Sequence, residues 1–135
     1  METRYKELET LIGRFIRELP NDKKYEDRLA EELDIIAKLG FAKHFLRVVE
    51  ILNLTNDIPH ITRGSAGSSL ICWLLGISDV DPIAEHIPLS RFMNPKREDL
   101  PDIDLDFPHW KQETVMNRIF KKWAGQSARV SNYVT

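Results

Sequence analysis

The chain has 135 residues, 42% of them apolar and 30% charged, with a formal net charge of −2. That length gives one domain or a piece of one, the composition is that of a soluble globular protein, and the charge excludes a globally basic nucleic-acid surface. A lone Cys72 in an apolar run excludes a disulfide framework, residues 70–77 are too short an apolar run to span a bilayer, and the N-terminus has no apolar signal core; no membrane partner and a cytoplasmic location are expected.

Apolar side chains at Tyr5, Leu8, Ile12, Phe15, Ile16 and Leu19 have helical spacing and predict an N-terminal helix over residues 3–19, stopped by Pro20. A second helix starts at Asn21 or Asp22, carries Tyr25, Leu29, Leu33, Ile36 and Leu39 on one face, and closes at Gly40. A third runs from Phe41 to about Leu54. A turn over 55–59 leads into a short extended piece, 58–62. Next comes a glycine- and serine-rich turn, 63–69, opening a mostly buried helix at Leu70. Residues 78–100, punctuated by Pro82, Pro88 and Pro95, read as irregular. A strand over 101–107 follows. A last helix, 110–123, is expected to bury Val115, Met116, Ile119, Phe120 and Trp123, and 128–134 has a strand-like composition.

The strand carries the strongest chemical signal. In Pro101-Asp102-Ile103-Asp104-Leu105-Asp106-Phe107 the aspartates alternate with apolar residues, so strand geometry puts the carboxylates on one face. Three like charges in a row repel unless something positive sits among them, and hard divalent cations prefer carboxylate oxygen. Two such ions about 4 Å apart serve phosphoryl and nucleotidyl transfer. Two other readings of the triplet stand beside this one. In a calcium loop of EF-hand type, Asp102, Asp104 and Asp106 fit the first ligand positions and Glu113 the closing one, but Phe107 stands where glycine is required. In the other reading the triplet is a solvated edge strand.

Residues 63–69, Arg-Gly-Ser-Ala-Gly-Ser-Ser, form the second signal. Glycines let a phosphate approach backbone N–H groups at a helix start, serines add hydroxyls and Arg63 a forked cation. The plainer alternative is a serine-capped helix start. The Gly-Lys-Ser/Thr ending of a Walker A loop is absent. Arg91 and Arg97 lie just upstream of the aspartates and could neutralise phosphates. The four histidines have no zinc-ligand spacing, and the tryptophans read as core or half-buried residues.

Four blocks in order, Arg63-Gly64-Ser65-Ala66-x-Ser68-Ser69-Leu70, the stretch from Leu75 to Pro82, Arg91-Phe92-Met93-Asn94-Pro95-Lys96-Arg97 and the aspartate motif, resemble the palm of C-family polymerases, the bacterial DNA polymerase III alpha subunits. The resemblance covers residues 25–135; residues 1–24 form an unassigned N-terminal helix. It implies an α+β fold, helices on a small mixed β-sheet, as part of a polymerase-β-like nucleotidyltransferase palm. It implies template-directed DNA synthesis in replication or repair, with primer-template DNA, dNTP and other replication subunits as partners. Asp102 and Asp104 match the aspartates that bind two catalytic Mg²⁺ ions. Gly64 and Ser65, with Arg63, Ser68, Arg91 and Arg97, match positions at the triphosphate, and Asp106 a supporting one. The family's third catalytic aspartate is expected beyond Thr135. The family's glycine-proline-glycine before this turn is replaced by Pro59-His60-Ile61-Thr62, which implies a stiffer or differently shaped nucleotide loop. The alternatives are a non-catalytic nucleotide- or DNA-binding remnant of the palm and a calcium-binding or structural module.

Overall fold

The computed structural model describes residues 2–94, 96 and 100–123. Helix α1 is Glu2–Ile12, α2 Lys23–Leu39 and α3 Ala42–Leu54; strand β1, Ile61–Arg63, runs into a 3₁₀ turn, Gly64–Ser68, and the short α4, Leu70–Leu74. Strand β2 is Asp104–Asp106 and α5 is Gln112–Lys122. The architecture is α+β.

Local chemistry explains the ends of α2. Asp22 is extended and accepts from the Lys24 N–H at 2.9 Å, and Gly40 closes the helix at φ 72°, its N–H donating to the Ile36 carbonyl. The first helix departs from its periodicity and ends at Ile12. The N–H groups of Ile16 and Arg17 donate to the Leu74 carbonyl instead, and docking against the end of α4 draws the chain out of the helix. Arg17 secures that path. It donates to the carbonyls of Trp73 at 2.6 Å and Ser78 at 2.8 Å, and lies 5.2 Å from the Trp73 ring centre.

Leu8 and Leu11 of α1 share one core with Ile35 and Ile36 of α2, Phe45 and Val48 of α3, Leu105 of β2 and Val115 and Ile119 of α5. Phe120 lies off the buried stripe of α5 and is 57% exposed, contrary to the expected set; Met116 and Trp123 are half-buried. Among the described residues the sheet is a two-stranded antiparallel pair rather than mixed, with Ile61 opposite Asp106, Thr62 opposite Leu105 and Arg63 opposite Asp104. The strand-like segment 128–134 lies outside the described residues. The ladder spans only 104–106, yet the alternation extends over all of 101–107. Pro101, Ile103, Leu105 and Phe107 are buried, Asp104 and Asp106 half-buried, and Asp102 exposed. Among the described residues, no helix is long and apolar enough to cross a membrane.

Candidate functional site

The pairing of β1 with β2 brings the two sequence signals together. Gly64 follows the last residue of β1 at φ 76°, a conformation that L side chains adopt only under strain, and a Cβ built there would lie 3.7 Å from Asp104 Oδ2. The glycine turn therefore opens directly beside Asp104. Arg63 Nη2 pairs with Asp106 Oδ2 at 2.6 Å, diagonally across the two strands. Asp102 lies one step of the alternation before Asp104. Its charge faces His44, whose Nε2–H donates to the Pro101 carbonyl at 2.8 Å. Burial pushes the His44 pKa down, against that bond and the charge of Asp102.

A buried ion pair on α2 holds the turn from below. Glu32 is wholly buried, and its carboxylate accepts from Ser69 Oγ at 2.6 Å, from the N–H of Leu70 at 2.7 Å and from the N–H of Ile71 at 3.1 Å. Arg28 donates through Nε to Glu32 at 3.2 Å, and through Nη2 to the carbonyls of Ser68 at 2.6 Å and Ile87 at 2.9 Å. Burial pushes the Glu32 carboxyl up, while the bonds from Ser69, Ile71 and Leu70 and the charge of Arg28 pull it down. Ser69 Oγ also accepts from the Cys72 N–H. The N–H groups of Leu70, Ile71 and Cys72 are thus taken by protein oxygens. An anion at this turn is left with the backbone and hydroxyl groups of Gly64–Ser68. The sequence carries a signal for this pair, since Glu32 interrupts the apolar stripe formed by Leu29, Leu33 and Ile36. A carboxylate on a core-facing stripe needs partners.

The other candidates take different places. Ser65 is half-buried and Ser68 buried in the turn; Arg91 is exposed at the end of the 3₁₀ segment Leu89–Arg91, which packs against that turn. Arg97 lies outside the described residues. Among the described residues, no three or more His, Cys, Asp or Glu side chains gather into a metal-holding group. Nor, among these residues, does Asp102 or Asp104 have an ion-pair partner. Two free hard-oxygen donors suit magnesium, which is commonly held by one or two carboxylates together with substrate phosphates. A calcium loop fits less well, because Asp104 and Asp106 sit in a paired strand and Phe107 is buried.

Comparison with known proteins places the whole chain in one family. Residues 2–135 match the family described as Bacterial DNA polymerase III alpha NTPase domain. The chain is 42% identical over 125 residues to the DNA polymerase III subunit alpha of Aquifex aeolicus (strain VF5), covering 90% of this chain and 11% of that protein. It is 39% identical over 105 residues to the DNA polymerase III subunit alpha of Bacillus subtilis (strain 168), covering 76% and 9%. To the Error-prone DNA polymerase 1 of Agrobacterium fabrum (strain C58 / ATCC 33970) it is 35% identical over 130 residues, covering 94% and 12%. The chain spans about a tenth of the length of these relatives.

Proposed function

The chain belongs to the bacterial DNA polymerase III alpha family, and we propose that it forms the metal- and triphosphate-binding part of a DNA polymerase palm of the polymerase-β-like type. The reaction is addition of a dNTP to a primer 3′-hydroxyl in replication or repair synthesis. The observation that carries this reading is the abutment of the Gly64 turn on Asp104, which puts a phosphate-approachable backbone beside a carboxylate with no cation partner among the described residues.

Asp102 and Asp104 would hold two Mg²⁺ ions. When bound, such ions lower the pKa of the attacking hydroxyl and neutralise charge on the leaving pyrophosphate. The chain's own groups then orient the substrate. The Gly64 backbone and the Ser65 hydroxyl face the β- and γ-phosphates, with Ser68 at the base of the turn. Arg63 supplies a cation at the rim, and Arg91 and Arg97 add charge for the triphosphate. The α-phosphate accepts the primer oxygen, and the bond to the β-phosphate oxygen breaks to release pyrophosphate. Primer-template DNA and other replication subunits are the partners.

A ¹⁵N–¹H NMR titration with Mg²⁺ and then dNTP tests the reading. It predicts shifts confined to Asp102, Asp104 and residues 63–69. A dispersed spectrum indifferent to both ligands would overturn it.

A further inference from the structure

We infer that Asp106 is a positioning residue for Arg63, and that it holds this guanidinium at the rim of the triphosphate site instead of serving as a third metal ligand. The inference rests on the nucleotide-binding reading and deepens it. Strand alternation alone gives Asp102, Asp104 and Asp106 equal standing, since all three project from the same face. The cross-strand register separates them. Arg63 stands opposite Asp104, yet its Nη2 reaches diagonally to Asp106 Oδ2 at 2.6 Å. Long side chains can span that diagonal of an antiparallel pair.

The two ends of the ion pair differ in freedom. The Asp106 side chain is 22% exposed, and that of Arg63 is 69% exposed. The half-buried carboxylate is the fixed end and the exposed guanidinium the adjustable one. A guanidinium has five N–H donors in a rigid fork, so it can keep one on Asp106 and turn the others toward a phosphate. Gly64, the next residue, lies against Asp104, so Arg63 is held at the mouth of the turn. An arginine already oriented loses less side-chain freedom when the anion arrives. Asp106, with its charge compensated by Arg63, is a poorer ligand for a cation than Asp102 and Asp104, which have no ion-pair partner among the described residues.

A double-mutant cycle on the full chain tests this. Calorimetry would measure Mg²⁺–dATP affinity, and Mn²⁺ titration of water-proton relaxation would measure metal affinity without nucleotide. The variants are Asp106→Asn, Arg63→Gln and the double variant, with Asp104→Asn as the reference for loss of a metal ligand, each checked by circular dichroism. Asp106→Glu, which keeps the charge but moves the carboxylate relative to Arg63, replaces Asp106→Asn in the cycle if that variant fails to fold. Removing a negative charge favours an anion in either background, so the cycle isolates the holding effect from that general one. The inference expects Asp106→Asn to weaken Mg²⁺–dATP roughly three- to tenfold when Arg63 is present, by the loss of one immobilised side chain. It expects no weakening in the Arg63→Gln background, and a fall in Mn²⁺ affinity from Asp106→Asn that stays well short of the fall from Asp104→Asn, as loss of a nearby charge and not of a ligand requires. A fall in Mn²⁺ affinity from Asp106→Asn as large as that from Asp104→Asn, in both backgrounds, would make Asp106 a metal ligand and overturn the inference while leaving the nucleotide reading intact. Unchanged or tighter Mg²⁺–dATP binding with Arg63 present would overturn it in the same way. If the wild-type chain bound Mn²⁺ but no Mg²⁺–dATP, the nucleotide reading itself would fall, and this inference with it.

Discussion

Glu32 shows how much of the candidate site depends on a side chain that touches no substrate. Its two oxygens satisfy the N–H groups that begin α4, and Arg28 ties the same cluster to the Ser68 carbonyl. Glu32→Gln keeps the shape but turns an amide NH₂ toward N–H donors. A buried donor left unsatisfied costs about 1–3 kcal/mol, and breaking a buried pair by removing one partner costs about 3–5 kcal/mol. Because the shape survives, we expect a loss of about 2–3 kcal/mol, the upper part of the first range and below the second. Urea unfolding at neutral pH reads it directly; a change below about 0.5 kcal/mol, the scale of an ordinary surface substitution, would mean that the turn is held elsewhere. Tyr25 offers a test by pH. Its hydroxyl donates to Asp81 at 2.6 Å, and that bond, then burial and the charges of Asp81 and Asp22, push its pKa from 10.0 to about 12. The folded pKa lies above the unfolded one, so this contribution is whole below the unfolded value and is lost as pH rises toward the folded value. Stability should therefore fall between pH 10.0 and about 12, and Tyr25→Phe should remove that part of the decline. Equal slopes for the two proteins in alkaline urea titrations would contradict this.

At the scale of elements, the N-terminal helix is the part whose standing most needs measurement. The motif blocks all lie beyond residue 24, but the family match begins at residue 2, and Leu11 of α1 is wholly buried in the core shared with α2 and α3. Truncating such a leucine costs about 2–5 kcal/mol. Leu11→Ala is expected to destabilise the whole chain by that amount and to speed hydrogen exchange in α3 and α5 together. If exchange quickened in α1 alone, residues 1–24 would be a separate appendage. The periodic faces of α2 and α3 were legible because each is a run of side chains meeting one core, and that of α5 was legible at Val115 and Ile119 but not at Phe120, which lies off the buried stripe. The end of α1 was not, because the Leu74 carbonyl, far along the chain, captures the Ile16 and Arg17 N–H groups. The brevity of α4 was equally hidden. Its C-terminal end is set by Gly76 at φ 79° and by the Ile77 N–H returning to the Cys72 carbonyl.

Across the whole molecule, the aspartate alternation and the glycine turn were legible as separate signals, since each is local. Their meeting was not, because the register of β1 against β2 joins segments some forty residues apart, and only that register assigns Arg63 to Asp106. The same geometry governs how stability should respond to charge. Asp102 and Asp104 sit on one face with no cation partner among the described residues, so folding brings their like charges together. Asp104→Asn should therefore leave the melting temperature in metal-free buffer unchanged or slightly raised, because a repulsion is relieved and no side-chain hydrogen bond or ion pair among the described residues is lost. The wild-type chain should respond to ligand in the opposite sense. A ligand that binds only the folded state at a hundredfold excess over its Kd adds about 2.7 kcal/mol, on the order of 10 °C for a chain of this size. Saturating Mg²⁺ with dNTP is expected to raise the wild-type melting temperature on that scale and to leave Asp104→Asn where it was. A large drop for Asp104→Asn without metal would instead make Asp104 a structural carboxylate. The Gly64 turn would then lie beside a brace of the fold, and the two-metal reading would lose one of its two ligands.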